Sequence, residues 1–248
     1  MAPDGVDPRT RRIPEATVVR LPVYQRILAE LLRSGSGTVS SEQLATRARV
    51  NAAKVRKDLS LLGSFGTRGT GYDAAFLMGQ IDKALGVDRD WPVAIVGIGN
   101  LGRALVNSEG FSSRGFRVAA LYDVDAEVVG EQVGPVVVRH VDQLADRAQL
   151  AEGAERLAIG VIATPADAAQ GVADALVAAG VGSILNFAPR VLTVPTDVLL
   201  RYVDLSIELQ VLSFYESRRA DEEGEDGDDG AGGAVLRSVG LSPPPDAD

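Results

Sequence analysis

The sequence contains no cysteine and a single histidine, His140. The first absence excludes disulfides, thiolate catalysis and cysteine-held zinc or iron–sulfur centres, and the second excludes a metal site built on several imidazoles. Any redox chemistry therefore arrives with a cofactor. No apolar run reaches the ~20 residues of a membrane-spanning helix; the longest candidates are 93–99 and 157–163. Residues 1–12 are rich in Pro, Asp and Arg and lack the apolar stretch of a secretory leader. Both absences lead us to expect a cytoplasmic protein with no membrane partner. What is present is 248 residues, 46% hydrophobic and 24% charged, with a mean hydropathy of +0.08, the profile of a folded chain of one large or two ordinary domains.

Basic charge is in the minority, 25 Lys and Arg against 34 Asp and Glu for a net charge of −9, but it is unevenly placed. Residues 1–90 carry +4, residues 91–219 carry −5 and residues 220–248 carry −8. The acidity is thus largely a property of the tail. Between Leu44 and Thr70, Arg47, Arg49, Lys54, Arg56, Lys57 and Arg68 stand against one acid, Asp58, a local patch of the kind that meets phosphate.

After a flexible polar arm at 1–15, Leu21, Tyr24, Leu28, Leu31 and Leu32 recur at helical spacing from Val18 on, until Ser34-Gly-Ser-Gly37 stops them. Ser40 and Ser41 offer a cap for a short helix over 41–48, and Asn51 caps a third. In that third helix Val55, Leu59 and Leu62 turn inward, while Lys54, Arg56, Lys57 and Ser60 turn out. A basic amphipathic helix alone is an ordinary solvated helix. Joined to a short helix by a tight connection, it becomes the second member of a helix-turn-helix pair. Residues 63–72 then hold four glycines with Arg68 near the tip, a hairpin wing. Such a winged helix lays its third helix in a major groove and reaches backbone or minor groove with the wing. A helix over 74–85 ends at Gly86, and Trp91-Pro92 marks a boundary.

The chain then changes character. Residues 93–96 are a short apolar strand, Gly97-Ile98-Gly99-Asn100-Leu101-Gly102 opens a helix, and 117–122 form a second strand ending at Asp123, 21 positions past the last glycine. Gly-x-Gly-x-x-Gly alone is weak; between strand and helix, with the acid at that spacing, it is the dinucleotide fingerprint. Gly97 allows the tight turn, Gly99 lets a pyrophosphate approach the backbone, and Gly102 lets helix and strand pack closely. Asp123 accepts from ribose hydroxyls and repels a 2′-phosphate, which favours NADH and NAD+ over their phosphorylated forms. Strands at 136–138, 157–163 and 183–187, with a helix over 166–179, continue the alternation into a doubly wound parallel sheet. Ligands lie at the carboxyl ends of such strands, which nominates Thr164, Pro165, Asn186 and Phe187 for the nicotinamide half.

The last helix, over 205–219, carries Leu205, Leu209 and Leu212 on one face and Ile207, Val211, Phe214 and Tyr215 on the next. That is too much apolar surface for a helix packed on one side, so it lies deep in its own fold or in a partner subunit. Residues 220–248 read as a disordered acidic tail.

At this point the chain resembles the bacterial Rex family of redox-sensing transcriptional repressors over about residues 13–217. The resemblance is carried by Ile-Pro-Glu-Ala-Thr at 13–17, Arg20-Leu-Pro-x-Tyr24-x-Arg26, Val-Ser-Ser-Glu-Gln-Leu at 39–44, Lys54-Val-Arg-Lys-Asp-Leu-Ser60, and Gly66-Thr-Arg-Gly-x-Gly-Tyr72. The 97–102 fingerprint, Ile184-Leu-Asn-Phe-Ala-Pro189 and Val-Asp-Leu-Ser at 203–206 complete it. It implies an α/β Rossmann-type domain over 89–204, a winged-helix domain over 16–88 and a C-terminal helix exchanged between the subunits of a homodimer. It also implies a non-enzymatic repressor of respiratory and fermentative genes that holds a pseudopalindromic operator DNA when NADH is low and releases it when NADH binds. By position, Lys54, Arg56, Lys57 and Arg68 match the family's DNA-contacting helix and wing, and Ser41, Ser60, Gly69 and Tyr72 lie in the same motifs. Asp204 and Leu205, reaching across from the other subunit, match residues near the nicotinamide, and Arg26 matches an arginine that pairs with the aspartate in one state. Ser108 stands where the family commonly has a tyrosine that joins this switch contact, and a serine hydroxyl cannot span the same distance.

Two other classes fit parts of the sequence. An NAD-dependent oxidoreductase would use the same Rossmann domain but needs a proton donor beside the nicotinamide, and His140 lies far in sequence from the strand ends at 163 and 187. A CoA-binding subunit shares the fold but explains neither the basic helix nor Asp123.

Overall fold

The computed structural model describes residues 13–63, 71–112, 114–144 and 156–225, which separate between Asp88 and Arg89 into two units. The first contains α1 (Glu15–Arg33), β1 (Thr38–Val39), α2 (Ser41–Ala48), α3 (Ala52–Leu62), β2 (Tyr72–Asp73) and α4 (Ala74–Leu85). α1 begins three residues earlier than the apolar spacing predicts. Pro14, with φ −58°, is already set for helix entry, and its carbonyl accepts the N–H groups of Thr17 and Val18. A capping box starts α2: the Ser40 hydroxyl accepts the Gln43 N–H, and the Gln43 side chain accepts that of Ser40. Asn51 caps α3 through the Lys54 N–H at 2.7 Å. Leu21, Tyr24, Leu28, Leu44, Val55, Leu59, Leu77 and Ile81 form the core. β1 and β2 pair antiparallel, Val39 opposite Tyr72, and close the base of the wing. Gly71 is required there: its φ is +81°, and a Cβ would sit 2.7 Å from the Val39 carbonyl oxygen. The wing tip, with Arg68 and Gly69, lies outside the described residues.

The inward stripe of α3 contains a charge. Val55, Asp58, Leu59 and Leu62 are all buried, and the Asp58 carboxylate receives Arg20 through Nε and Nη2 at 2.7 Å each, the Tyr24 hydroxyl at 2.9 Å and the Thr17 hydroxyl at 3.0 Å. Burial by itself would raise the Asp58 pKa; the hydrogen bonds from Arg20, Tyr24 and Thr17 and the Arg20 charge more than reverse this, and it lies below the ordinary carboxylate value. Burial, then the bond to Asp58, raises the Tyr24 pKa well above that of a free phenol.

The second unit contains β3 (Trp91–Val96), α5 (Asn100–Val106), α6 (Glu109–Ser112), β4 (Phe116–Asp123), β5 (Gln132–Val133), β6 (Val136–His140), β7 (Ile159–Ile162), α7 (Ala169–Ala178), β8 (Ser183–Asn186), β9 (Leu199–Tyr202) and α8 (Leu205–Glu225). The sheet order is β5-β6-β4-β3-β7-β8-β9, parallel throughout except for β5 against β6. Numbering only the parallel strands in chain order gives 3-2-1-4-5-6, the Rossmann arrangement. β3 is central and buried on both faces: Ala94 and Val96 join the cluster under α7, and Val93 and Ile95 join the one that includes Leu105 and Val106 of α5.

Trp91 and Pro92, near the division between the units, are the first residues of β3, where the Trp91 N–H donates to the Gly115 carbonyl at 2.8 Å. Between β4 and β6 lies the short strand β5, which sequence reading does not name. β9, which sequence reading misses, is an edge strand whose Leu199, Arg201 and Tyr202 are exposed, so it shows no alternation. α8 continues six residues beyond the expected end at 219; of these, Ala220, Glu222, Glu223 and Glu225 are good helix formers, while Asp221 and Gly224 are poor ones. The remaining tail, 226–248, lies outside the described residues.

The buried Asp58 cluster yields a stability prediction. Asp58→Asn leaves Arg20 without its counter-charge and should cost about 2–4 kcal/mol at neutral pH, measured by urea unfolding. Because the native pKa is depressed, the wild-type contribution is complete above the unfolded value of roughly 4 and is lost as pH falls through the native pKa. The difference between wild type and Asp58→Asn should therefore shrink on acidification.

Candidate nucleotide and nucleic-acid sites

The order in which strands are added to the sheet reverses between β3 and β7, which run parallel, and the loops that leave their carboxyl ends meet there. Gly97, at φ +95°, donates its N–H to the Tyr122 carbonyl at 2.8 Å, and a Cβ on it would lie 2.6 Å from the Ala163 carbonyl oxygen. A Cβ on Gly102 would run into the Gly97 carbonyl oxygen. These two glycines let backbone pack on backbone. Gly99 differs: it is the N-cap of α5, no side chain caps that end, and a Cβ on it would enter open space. Loop closure thus needs Gly97 and Gly102, while Gly99 keeps the first-turn amides clear of a side chain. Asn100 and Leu101 are exposed beside it, whereas the Ile98 side chain is buried in the core.

Asp123 acts on this loop directly. Its Oδ2 accepts the Ile98 N–H at 2.6 Å, and its Oδ1 accepts the N–H groups of Val124 and Asp125 at 2.7 and 3.0 Å. The acid of the fingerprint is thus also a turn aspartate, and it ties the glycine loop to the end of β4. Across the switch point, the Thr164 Oγ1 is buried with no hydrogen-bond partner, and its Cγ2 lies 3.0 Å from the position of a Gly97 Cβ. An unsatisfied hydroxyl beside an uncapped helix start and a cleared glycine fits a polar ligand at this place.

The other nominated residues separate by role. Pro165 is exposed and Phe187 half-buried. Asn186 is buried, and its amide is committed to its own loop: Nδ2 donates to the carbonyls of Ala188 and Arg190, and Oδ1 accepts the Ala188 N–H. It shapes the β8 loop instead of lining a pocket as expected. Arg190, which sequence reading missed, donates Nη1 to the Ala166 and Asp167 carbonyls at 3.1 and 3.2 Å and so fastens the loops after β7 and β8 together. Its signal was a cation next to the loop proline, Pro189. Asp204 accepts the N–H and hydroxyl of Ser206 at 2.9 and 2.6 Å and starts α8, bonds that lower its pKa. Leu205 is exposed, as is every residue from 205 to 219. Ser108 closes the turn after α5, where its carbonyl accepts the Phe111 N–H.

In the first unit Arg26, Lys54, Arg56, Lys57 and Ser60 are exposed. With Asp58 turned inward, the outward face of α3 carries its cations unopposed by an acid of the same helix. Arg56 Nη1 donates to Glu42 Oε1 and to the Ser41 hydroxyl, each at 3.0 Å. Ser41, expected to contact DNA, is itself buried and orients Arg56. The Ser60 hydroxyl donates to the Lys57 carbonyl. Tyr72 is half-buried at the wing base, and burial raises its pKa.

A basic winged-helix unit followed by a dinucleotide-type sheet defines a DNA-binding regulator with a nucleotide domain. Residues 12–60 match the family model described as "Putative DNA-binding protein N-terminus", and residues 88–190 match the one described as "CoA binding domain". The redox-sensing transcriptional repressor Rex of Streptomyces avermitilis is 60% identical over 87% of this chain and 84% of its own length, and that of Syntrophomonas wolfei is 48% identical over 82% and 95%. Among solved structures, RSP, a Rex-family repressor, in complex with β-NAD+ and operator DNA superposes with a TM-score of 0.78 at 34% identity, covering 88% of this chain and 99% of that one. The same protein with β-NADH gives 0.75 at 33% identity over 86% and 98%. The chain belongs to the Rex family of redox-sensing transcriptional repressors.

The three glycines should separate on substitution. Gly97→Ala and Gly102→Ala should each cost about 1–3 kcal/mol of stability through backbone overlap, while Gly99→Ala should stay within about 1 kcal/mol of wild type, as read by thermal unfolding.

Proposed function

We propose that the chain represses transcription as a homodimer that grips a pseudopalindromic operator through α3 and the wing, and that NADH binding at the β3–β7 switch point releases the DNA while NAD+ leaves it bound. The observation that carries this is the pairing, in one chain, of a cationic recognition helix whose own acid is turned inward with a glycine loop whose one cleared position is Gly99. Gly99 and the amides of Asn100 and Leu101 would receive the pyrophosphate, Asp123 the adenosine ribose hydroxyls, and the Thr164 hydroxyl a polar group on the nicotinamide side. The dinucleotide is a signal here and not a substrate, so NADH should be recovered unoxidised from the complex. Residues 16–88, 89–204 and 205–219 serve as DNA-binding, nucleotide-binding and subunit-exchange segments, in the cytoplasm where the operator is.

The homodimer reading rests on α8, where Leu205, Ile207, Leu209, Val211, Leu212, Phe214 and Tyr215 are all exposed. A helix apolar on adjoining faces and covered on none asks for a second subunit. Reduced nucleotide then favours a dimer in which the two α3 helices no longer match half-sites one helical turn apart. A ligand shifts such an equilibrium only by its differential affinity, about 5.5 kcal/mol for an essentially complete switch.

The test is fluorescence anisotropy on an operator duplex at fixed salt, titrated separately with NAD+, NADH and CoA. NADH alone should release the DNA; equal action of NADH and NAD+ would refute redox sensing, and release by CoA would favour a CoA-binding regulator. Gly99→Ala should bind DNA normally and lose the NADH response. Lys57→Ala should weaken DNA binding and lower the salt slope by about 1 with NADH affinity unchanged.

A further inference from the structure

Beside the glycine loop stands a charged pair that this function leaves unused. Arg103, the residue after Gly102 in α5, donates Nη1 and Nη2 to the two carboxylate oxygens of Glu131 at 2.5 and 2.6 Å. Glu131 lies in the turn between β4 and β5, and its carbonyl accepts the Val138 N–H at 2.9 Å. Val138 of β6 is the register partner of Leu121, two residues before Asp123 on β4. The pair therefore links the start of α5 to the turn beyond β4, around the same strand end at which Asp123 holds the Ile98 N–H. Asp123 is also felt electrostatically: after the hydrogen bonds and charge of Glu131, its charge contributes to raising the Arg103 pKa. The hydrogen bonds from Arg103 in turn lower that of Glu131. Both side chains are partly open to solvent, at 37% and 42% exposure, and are not sealed in the core.

We propose that Glu131 is a specificity-determining residue which, by clamping Arg103, withholds from the adenosine ribose a guanidinium placed to bind a 2′-phosphate, so that the site takes NAD(H) and rejects NADP(H). The inference rests on the nucleotide reading given above. A guanidinium fork matches a phosphate and a carboxylate in the same two-bond geometry. Here the fork is already filled, and an arriving 2′-phosphate must displace Glu131 while meeting like charge from both Glu131 and Asp123. A dinucleotide with a free 2′-hydroxyl asks nothing of Arg103. The fingerprint alone assigns this discrimination to Asp123; the pair adds a second determinant, and a latent phosphate ligand held out of use.

The experiment measures NADH and NADPH dissociation constants by nucleotide fluorescence on the full chain for wild type, Glu131→Gln, Arg103→Gln and the double variant, with thermal unfolding in parallel. The pair is on the surface, so the variants should fold; Glu131→Ser replaces Glu131→Gln if that variant does not. Glu131→Gln should tighten NADPH binding about tenfold and leave NADH within about threefold, because the freed fork now meets the phosphate. The double variant should lose that gain. An unchanged NADPH-to-NADH ratio in Glu131→Gln overturns the proposal, as does a gain that persists without Arg103, which would assign it to charge removal alone. Failure of wild type to bind NADH would instead overturn the nucleotide reading on which the proposal rests.

Discussion

A polar group taken out of water must be given partners inside the protein, and the way each unit meets that demand sets its working surface. In the first unit the demand comes from Asp58. Its carboxylate lies on the same stripe as Val55, Leu59 and Leu62, so α3 packs only if α1 supplies Arg20, Tyr24 and Thr17 to meet it. Once it does, two things follow together: α3 is fixed in rotation about its axis, and its acid is removed from the face that carries Lys54, Arg56 and Lys57. In the second unit Asp123 draws its partners from backbone, one of them in the glycine loop, so the loop's shape is tied to the strand end beside it. Thr164 is left without a partner at the same place. The satisfied groups hold the scaffold, and the Thr164 hydroxyl is where a ligand was placed in the proposal above.

Much of this was legible in residue order. The stripe at 21, 24, 28 and 31, the caps at Ser40 and Asn51, and the strand–glycine–helix–strand–acid series each encode a local geometry that tertiary contacts did not override. What was hidden depended on pairing across distance. Asp58 reads as one acid in a basic patch, and only its position three residues after Val55 and one before Leu59 reveals that it faces inward. Asn186 sits at a strand end where ligand-binding groups gather, yet its amide closes its own loop. β9 escapes notice because an exposed edge strand shows no alternation, and Arg190 because its acceptors are carbonyls 23 and 24 residues away.

The two glycine roles explain why the fingerprint is informative only in context. Gly97 and Gly102 are demanded by the fold itself, since a Cβ at either meets backbone. A Cβ on Gly99 meets nothing among the described residues, so packing does not account for this glycine, and it is its place in the fingerprint, between strand and helix, that gives it a reading.

α8 has a consequence for the life of the polypeptide before assembly. A newly made subunit presents seven large apolar side chains along one unpacked helix, the kind of surface that chaperones hold and proteases search for. Covered by the second subunit proposed above, the helix would be withdrawn from both; left uncovered, it would stay open to them. The lifetime of the chain would then depend on its concentration, since only the paired fraction would have the helix out of reach.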